Sequence, residues 1–308
     1  MQSSTPMLHG KVIQSTGAWY QVKSHDGMVY PCQLRGKLRL QKLRLTNPVV
    51  VGDEVAFTPG QAQAPGVIHT VMPRKNYLIR QATHKKTHGQ LLAANLDQAM
   101  LIVAAVDIPL AFIDRFLVVA AAFDIPPALV FNKIDLLDSQ HRTALATTQA
   151  LYDKLGYTTL AVSAHTQANI KDFTQLLADK VSLLSGHSGV GKSTLLNTIA
   201  PTVSQAVAPV DAAGQRGQHT TTYAALFEVA PNTFVMDTPG IQTLVPYALE
   251  KQALSHYFPE MRSLAASCKF YNCTHLHEPN CAVRQALQEG AIAASRYQSY
   301  EGIMNDEL

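Results

Sequence analysis

The chain has 308 residues, 47% of them hydrophobic and 15% charged, and a formal net charge of +3. This length exceeds what one hydrophobic core usually serves, so two or three domains are expected. The longest apolar runs, "AMLIVAAV" and "FLVVAAAF", fall well short of the ~18 residues that a membrane span needs. The N-terminus carries no basic-then-apolar signal pattern. We therefore expect a cytoplasmic protein without a membrane partner.

The charge is divided unevenly along the chain. Residues 1–90 contain twelve Lys or Arg and three acidic residues, a net +9, which leaves −6 for the remainder. A basic end beside an acidic remainder predicts a polyanionic partner on one side of the protein. The alternative is an ordinary solvated basic surface.

Residues 9–72 contain about five short runs rich in β-branched and aromatic residues, separated by turn signals. This pattern predicts a small β-barrel of the OB type. Its first hairpin carries Trp19 and Tyr20, which could stack on bases, although the barrel core could equally absorb Trp19. A basic connection within the barrel offers candidates for phosphate contact: Arg35, Lys37, Arg39, Lys42 and Arg44.

Residues 73–90 are polar and basic and are predicted to form a linker. From about residue 95 apolar strand-like runs alternate with helical patterns, which predicts an α/β domain with a mostly parallel sheet. A helical segment interrupted by a Cys/His cluster follows from about residue 245. We accordingly predict three domains, at 1–75, 76–244 and 245–308.

The stretch "SGHSGVGKST" predicts a phosphate-binding loop between a strand and a helix. Its glycines would let backbone N–H groups point at phosphate oxygens, and the helix N-terminus would add positive partial charge. Lys192 would reach the β- and γ-phosphates, and the Ser193 hydroxyl would bind Mg²⁺. The predicted nucleotide-binding residues of this loop are Gly186, His187, Ser188, Gly189, Val190, Gly191, Lys192, Ser193 and Thr194.

The stretch "NKID", Asn132 to Asp135, predicts the guanine site. An ionised Asp135 accepts hydrogen bonds only, which matches the N1–H and N2–H₂ donors of guanine and selects GTP over ATP. Asn132 would bond the base edge or brace the phosphate loop, and the stem of Lys133 would cover one face of the base. At Ser163-Ala164, 28 residues after Asp135, the N–H of Ala164 could bond the guanine O6.

The stretch "DTPG" ends a predicted strand, where Asp237 would hold Mg²⁺ through water and the Gly240 N–H would sense the γ-phosphate. A threonine of the preceding "GQRGQHTTTY" loop would complete the Mg²⁺ coordination; we favour Thr221, with Thr220 as the alternative. Ile241 follows Gly240 and cannot orient a water. His219 is the candidate replacement as a catalytic residue, although it could instead pack or contact RNA. Slow intrinsic turnover is expected, since positioning supplies most phosphoryl-transfer catalysis.

These motifs define a GTPase domain in rearranged order, because the guanine-reading segments precede the phosphate loop. A circular permutation moves the chain ends and leaves the binding loops at the carboxyl ends of the strands. The predicted fold is therefore α/β: a circularly permuted P-loop GTPase domain with an N-terminal OB-fold β-barrel and a C-terminal helical segment.

The C-terminal segment holds Cys268, Cys273 and Cys281 within 14 residues. Three thiolates and one imidazole make a closed tetrahedral zinc site, which is expected to be structural. The spacing leaves both His275 and His277 as the nitrogen ligand. Free buried thiols are the alternative.

The order of these motifs, the preceding barrel and the following Cys/His cluster resemble the RsgA (YjeQ) family of GTPases over nearly the whole chain. "NKID", "GHSGVGKST", "QHTTT" and "DTPG" look like motifs of that family. The resemblance favours His275 as the zinc ligand and implies a C-terminal zinc-binding domain with one Zn²⁺ per chain. Gln218 departs from the arginine expected in many relatives, which affects a local phosphate or rRNA contact.

The resemblance implies a GTPase that binds the small ribosomal subunit and its rRNA and acts late in that subunit's maturation. Hydrolysis of GTP to GDP would be stimulated by the subunit and would drive release. GTP/GDP, Mg²⁺ and Zn²⁺ are the implied cofactors, other assembly factors are further candidate partners, and a monomer is expected. The alternative is a nucleotide-gated rRNA clamp with negligible catalysis. Intact Lys192, Ser193 and Asp237 argue against that alternative.

Overall fold

In the computed structural model, two compact units are built from interleaved parts of the chain. The first unit comprises Met1–Gln98, Gln175–Leu184 and Leu196–Gly240, and the second comprises Ala99–Thr174, Ser185–Leu195 and Ile241–Leu308. The structure describes residues 6–36, 48–60, 64–81, 89–201, 224–237 and 251–305.

A five-stranded barrel opens the first unit and confirms the predicted OB-type element. Its strands are β1 (Leu8–Ser15), β2 (Tyr20–Ser24), β3 (Val29–Leu34), β4 (Glu54–Thr58) and β5 (Gly66–Val71). They pair in the order β1-β2-β3-β5-β4, and β4 closes on β1. The β3–β5 pair is parallel, and the other pairs are antiparallel. Closure removes the exposed sheet edges that would otherwise invite association.

Alternating burial along the strands builds the barrel core. In β2, Tyr20 and Val22 point inward while Gln21 and Lys23 are partly exposed, as a period of two residues requires. Glycine is required at Gly10, where a Cβ would lie 2.5 Å from the Lys23 carbonyl oxygen. At the start of β4, the fully buried Asp53 carboxylate accepts hydrogen bonds from Arg74 Nε at 2.6 Å and Nη2 at 2.8 Å.

The predicted linker at 73–90 is wrong over part of its length. Strand β6 (Tyr77–Gln81) pairs antiparallel with β7 (Gly89–Ala94), and residues 82–88 between them lie outside the described part. Leu78 and Leu91 are buried. Pairing between these two successive strands and burial of their apolar side chains outweigh the polar local composition.

Three parallel strands follow, which belong to the second unit apart from Gln98: β8 (Gln98–Ala104), β9 (Pro127–Asn132) and β10 (Thr158–Ala161), with β9 in the centre. In β8 every residue from Gln98 to Val103 is buried, and β9 is buried from Ala128 onward. Such unbroken apolar runs are typical of parallel strands covered on both faces. The predicted alternation of strands and helices is confirmed here.

The remaining strands belong to the first unit, apart from the last residue of β11. Strand β11 (Val181–Ser185) runs parallel to β14 (Thr233–Asp237), and β13 (Phe227–Ala230) is antiparallel to β14. In the sequence, "AALFEVA" over residues 224–230 is one run typical of a single strand. Instead, β12 (Ala224–Ala225) pairs with β1 of the barrel, and only β13 joins β14. Which partner strand each half meets is a tertiary property that the local pattern does not carry.

Seven α-helices lie in the described residues: α1 (Leu110–Ala122), α2 (Ser139–Lys154), α3 (Ile170–Leu177), α4 (Lys192–Ile199), α5 (Pro259–Arg262), α6 (Ala282–Gln288) and α7 (Ala294–Asn305). Short 3-10 helices span Ile134–Leu136, Lys251–Tyr257 and Ala265–Ser267. Among the described helices, none combines the length and apolar character needed to cross a bilayer.

Helix α1 shares a hydrophobic core with the C-terminal segment of the second unit. Val118 of α1 belongs to the same buried cluster as Phe258, Met261, Tyr297 and Tyr300. The rings of Phe258 and Tyr300 meet edge to face, with centroids 5.6 Å apart. The short C-terminal helices contribute to this core, and the cysteines of the Cys/His cluster pack in it or against it.

Candidate nucleotide and metal sites

The predicted phosphate loop lies between β11 and α4, and its backbone demands glycine. Gly186, Gly189 and Gly191 have φ of 144°, 80° and 97°, which L side chains rarely adopt. A Cβ on Gly186 would lie 2.3 Å from the Ile102 carbonyl oxygen, and one on Gly191 would lie 2.3 Å from Asn132 Nδ2. Any larger residue at these two positions would have to displace the backbone or its support.

Lys192 begins α4 and folds its amine back over the loop. Its Nζ donates to the carbonyl oxygens of Gly186 at 2.6 Å and His187 at 3.0 Å. Ser193 and Thr194, the next two residues of the helix, are exposed. The ammonium and the helix N-terminus thus provide positive charge at the mouth of the loop, as a phosphate site requires.

Asn132 ties the guanine motif to the phosphate loop. Its side chain is 1% exposed, and its Nδ2 donates to the Val190 carbonyl oxygen at 2.9 Å. Its Oδ1 accepts from the Ala164 N–H at 3.1 Å. Of the two roles that the sequence left open, the structure therefore has Asn132 as a brace. The Ala164 N–H, predicted to meet the guanine O6, here donates to Asn132.

Asp135 presents its carboxylate at the same end of β9. It is exposed and accepts a hydrogen bond from the buried Ser163 hydroxyl at 2.5 Å. That hydrogen bond holds the pKa of Asp135 below its usual range, so the carboxylate is ionised and accepts only. In the turn between Asn132 and Asp135, Lys133 adopts a left-handed conformation with φ of 68°. The geometry brings Asn132, Asp135, Ser163 and Ala164 together, as the spacing predicted.

The structure describes only some of the residues that are predicted to bind Mg²⁺. Asp237 ends β14 and pairs in register with Leu184, two residues before Gly186. Its backbone therefore lies at the strand end from which the phosphate loop departs. The other predicted switch and catalytic positions lie outside the described residues: Gln218, His219, Thr220, Thr221, Gly240 and Ile241.

The Cys/His cluster brings four side chains that can bind a metal ion close together. The ligand atoms of Cys268, Cys273, His275 and Cys281 all lie within 4.8 Å of one another. Cys268 Sγ is 3.9 Å from Cys281 Sγ, and His275 Nδ1 is 3.6 and 3.3 Å from these two sulfurs. Zinc bound to sulfur and nitrogen places ligands about 3.6–3.8 Å apart along the tetrahedron edges. The cluster therefore fits one zinc ion.

The structure separates the two histidines that spacing left open. His275 is 2% exposed and its burial lowers its pKa, which keeps the imidazole in the neutral form that binds metal. His277 is exposed. The hydroxyl of Tyr297 in α7 donates to the His275 carbonyl oxygen at 2.6 Å, and that of Tyr300 donates to the Thr274 carbonyl at 2.6 Å. These two tyrosines, which the sequence analysis missed, hold the ligand loop.

The barrel leaves its tryptophan outside the core. Trp19 is 49% exposed, whereas Tyr20 is 2% exposed and donates its hydroxyl to the Gly17 carbonyl oxygen at 3.1 Å. Trp19 is thus available for stacking. Arg35 is exposed, and the predicted phosphate-contacting residues Lys37, Arg39, Lys42 and Arg44 lie outside the described residues.

Sequence reasoning also missed a buried ionic cluster in the second unit. Arg296 of α7 donates from Nη1 to Asp114 Oδ1 of α1 at 2.5 Å and from Nε to Glu260 Oε1 of α5 at 2.6 Å. Tyr152 of α2 donates its hydroxyl to Asp114 at 2.7 Å. Arg296 and Asp114 are 1% and 0% exposed. A local sequence pattern cannot predict such a cluster, because its members are far apart in sequence.

In chain order, an OB-type barrel is followed by the "NKID" motif, the phosphate loop that Asn132 supports, and a Cys₃His cluster. This order defines a circularly permuted GTPase. The RsgA GTPase family matches residues 71–245, and the RsgA N-terminal domain family matches residues 9–68. The chain belongs to the RsgA GTPase family.

Individual relatives resemble the chain over almost its whole length. The Small ribosomal subunit biogenesis GTPase RsgA of Bacteroides fragilis is 41% identical over 303 residues, covering 97% of each chain. The structure is similar to the crystal structure of YjeQ from Thermotoga maritima, with a TM-score of 0.80, 33% identity and coverage of 97% of this chain and 98% of that one. It is also similar to YloQ, a circularly permuted GTPase, with a TM-score of 0.77, 29% identity and coverage of 99% and 96%.

Proposed function

We propose that this GTPase acts in the biogenesis of the small ribosomal subunit, to which it binds in the cytoplasm, and that subunit binding stimulates its GTP hydrolysis. The observation that carries the nucleotide part is the placement of Asn132, which bonds the phosphate loop at Val190 and the second predicted guanine segment at Ala164. The relative from Bacteroides fragilis is named as a small ribosomal subunit biogenesis GTPase, which supports the ribosomal part.

The proposed site divides recognition of GTP between base and phosphates. The ionised Asp135 accepts from the guanine N1–H and N2–H₂ and rejects adenine, which lacks this donor pair. The Lys133 stem covers one face of the base. The backbone N–H groups of 186–194 surround the phosphates, and Lys192 exchanges its two carbonyl partners for the β- and γ-phosphates.

A magnesium ion would take oxygen ligands from Ser193 and Asp237. Ser193 has an exposed hydroxyl on the first turn of α4, and Asp237 is the last residue of β14. Thr221, or Thr220, would complete the set in the GTP state. The ion would neutralise charge developing on the phosphates during hydrolysis.

Water activation is the step that this chain supplies least well by itself. Ile241 stands directly after Gly240, where its aliphatic side chain cannot orient a water. We propose that His219 orients the water and that the small subunit sets the loop carrying it. Intrinsic turnover is then slow and rises on the subunit, and GDP formation releases the protein from it.

The zinc and barrel regions are proposed to serve binding to rRNA. Cys268, Cys273, His275 and Cys281 would hold one structural Zn²⁺, since three thiols and one imidazole with ligand atoms within 4.8 Å of one another suit tetrahedral ligation. The barrel contributes the exposed Trp19 for base stacking and belongs to a segment of net charge +9 over residues 1–90. A phosphate-dominated contact should weaken steeply with added salt.

Phosphate release from GTP, measured with and without purified small ribosomal subunits, tests the proposal. We expect a low rate for the protein alone, a strong increase with subunits, and loss of both in Lys192→Ala. His219→Ala should lose most of the stimulated rate. Nucleotide-dependent subunit binding with no increase in phosphate release would refute the catalytic proposal and would establish a nucleotide-gated rRNA clamp instead.

A further inference from the structure

A ring contact links α1 to the beginning of the phosphate loop. Phe112, the third residue of α1, and His187 have ring centroids 4.1 Å apart, with their planes inclined by 40°. Phe112 is half-buried, and His187 is exposed. The nucleotide-binding motifs assign no role to Phe112, which lies in "DIPLAF", 20 residues before the first of them.

The loop is supported at separate points along its length. Asn132 holds the carbonyl of Val190 near its end. Lys192 holds the carbonyls of Gly186 and His187 near its beginning. When Lys192 turns to the phosphates, it gives up both carbonyls. The ring contact from Phe112 then remains as a side-chain support at the beginning of the loop.

Buried contacts fix helix α1 directly after Phe112. Ile113 and Asp114, the two residues after Phe112, are both 0% exposed. Asp114 is bound by Arg296 of α7 and by the Tyr152 hydroxyl of α2. A ring placed at this end of α1 therefore has little freedom to follow a moving loop, so it can hold His187 in place.

We propose that Phe112 is a positioning residue for nucleotide binding: its ring holds His187, and thereby the first part of the phosphate loop, in the conformation that accepts phosphate. Phe112 acts through His187 and does not contact the nucleotide. The inference rests on the proposed nucleotide site. It assigns part of the affinity for guanine nucleotide to a residue outside all of the GTPase motifs.

The test compares the affinity for Mg-GDP, by calorimetry, with KM and kcat for GTP in the presence of small subunits. Phe112→Leu and His187→Ala should each weaken affinity and raise KM by about two- to tenfold, the range for loss of one aromatic pair. Their kcat should change less than KM. Phe112→Tyr keeps the aromatic ring and should bind Mg-GDP with the affinity of the wild type. Phe123→Leu, at the opposite end of α1 and also half-buried, is the matched control and should bind like the wild type.

A double-mutant cycle decides whether the two rings act through each other. In the His187→Ala background, Phe112→Leu should weaken affinity by less than about twofold further. An equal loss in both backgrounds, wild-type affinity in both single variants, or an equal loss in Phe123→Leu would overturn the proposal. Because His187 is exposed, its variant should fold even if Phe112→Leu does not. If the wild type fails to bind Mg-GDP, or if Lys192→Ala binds it normally, the nucleotide site itself is wrong.

Discussion

Removing the buried guanidinium of Arg296 should destabilise the second unit strongly. Arg296→Met keeps much of the side-chain volume and deletes the charge that faces Asp114 and Glu260. Their side chains are 0% and 9% exposed, so little water can replace the lost partner. Burial by itself would lower the pKa of Arg296, but the hydrogen bonds and charges of the two carboxylates outweigh it and raise that pKa.

The magnitude follows from what is left unpaired. Removing one partner of a buried ion pair costs about 3–5 kcal/mol, because an uncompensated charge stays in the interior. Among the residues that the structure describes, the Tyr152 hydroxyl is the hydrogen-bond donor that Asp114 retains. The ring of Phe258, whose centroid lies 4.6 Å from the guanidinium carbon, also loses its cation. At roughly 2–4 °C per kcal/mol, the midpoint of thermal unfolding should fall by about 6–20 °C.

The assay has to report on the second unit. Far-UV circular dichroism follows its helices, whereas the fluorescence of the single tryptophan follows Trp19 in the barrel of the first unit. Lys75→Met in the first unit serves as the comparison for loss of an exposed ion pair, since its side chain and that of Asp97 are 49% and 34% exposed. Such a pair contributes about 0–1 kcal/mol.

A second variant separates loss of packing from loss of charge balance. Adding Asp114→Asn to Arg296→Met removes one stranded charge and leaves an acceptor for Tyr152, so part of the lost stability should return. If Arg296→Met unfolds within about 1 kcal/mol of the wild type, as Lys75→Met should, the ionic cluster does not stabilise this unit and the reasoning is refuted.

Three further predictions concern the two sites. Asp135→Asn should weaken GTP binding about tenfold or more and improve binding of xanthosine triphosphate, since the amide donates to the xanthine O2; an unchanged KM for both nucleotides would contradict the assignment. Asn132→Ala should lower both thermal stability and Mg-GDP affinity, because the Val190 carbonyl and the Ala164 N–H lose their partner at about 1–3 kcal/mol each; calorimetry giving wild-type affinity would rule out the brace. Cys281→Ser should reduce bound zinc from about one per chain and His277→Ala should not; equal zinc content in all three proteins would refute the ligand set.

Much of the architecture could be predicted because its signals are local. Turn residues between short β-rich runs indicated the barrel, and unbroken apolar runs indicated the buried strands β8 and β11. The phosphate loop follows from glycines that no other residue could replace at the φ values of Gly186 and Gly191. The order of the motifs alone indicated the permutation. Cysteine spacing indicated a metal site and left its histidine open between His275 and His277.

The tertiary structure decided which residues that are remote in sequence contact each other. Arg296 lies 182 residues from Asp114, and Phe112 lies outside every motif that would have drawn attention to His187. A local pattern of charge or hydrophobicity is the same whether a side chain faces solvent or a distant partner. The sequence by itself therefore determined the type of domains and the chemistry of the two sites. Only the fold decided that Asn132 braces the phosphate loop and that His275, buried against the three cysteines, completes the metal cluster.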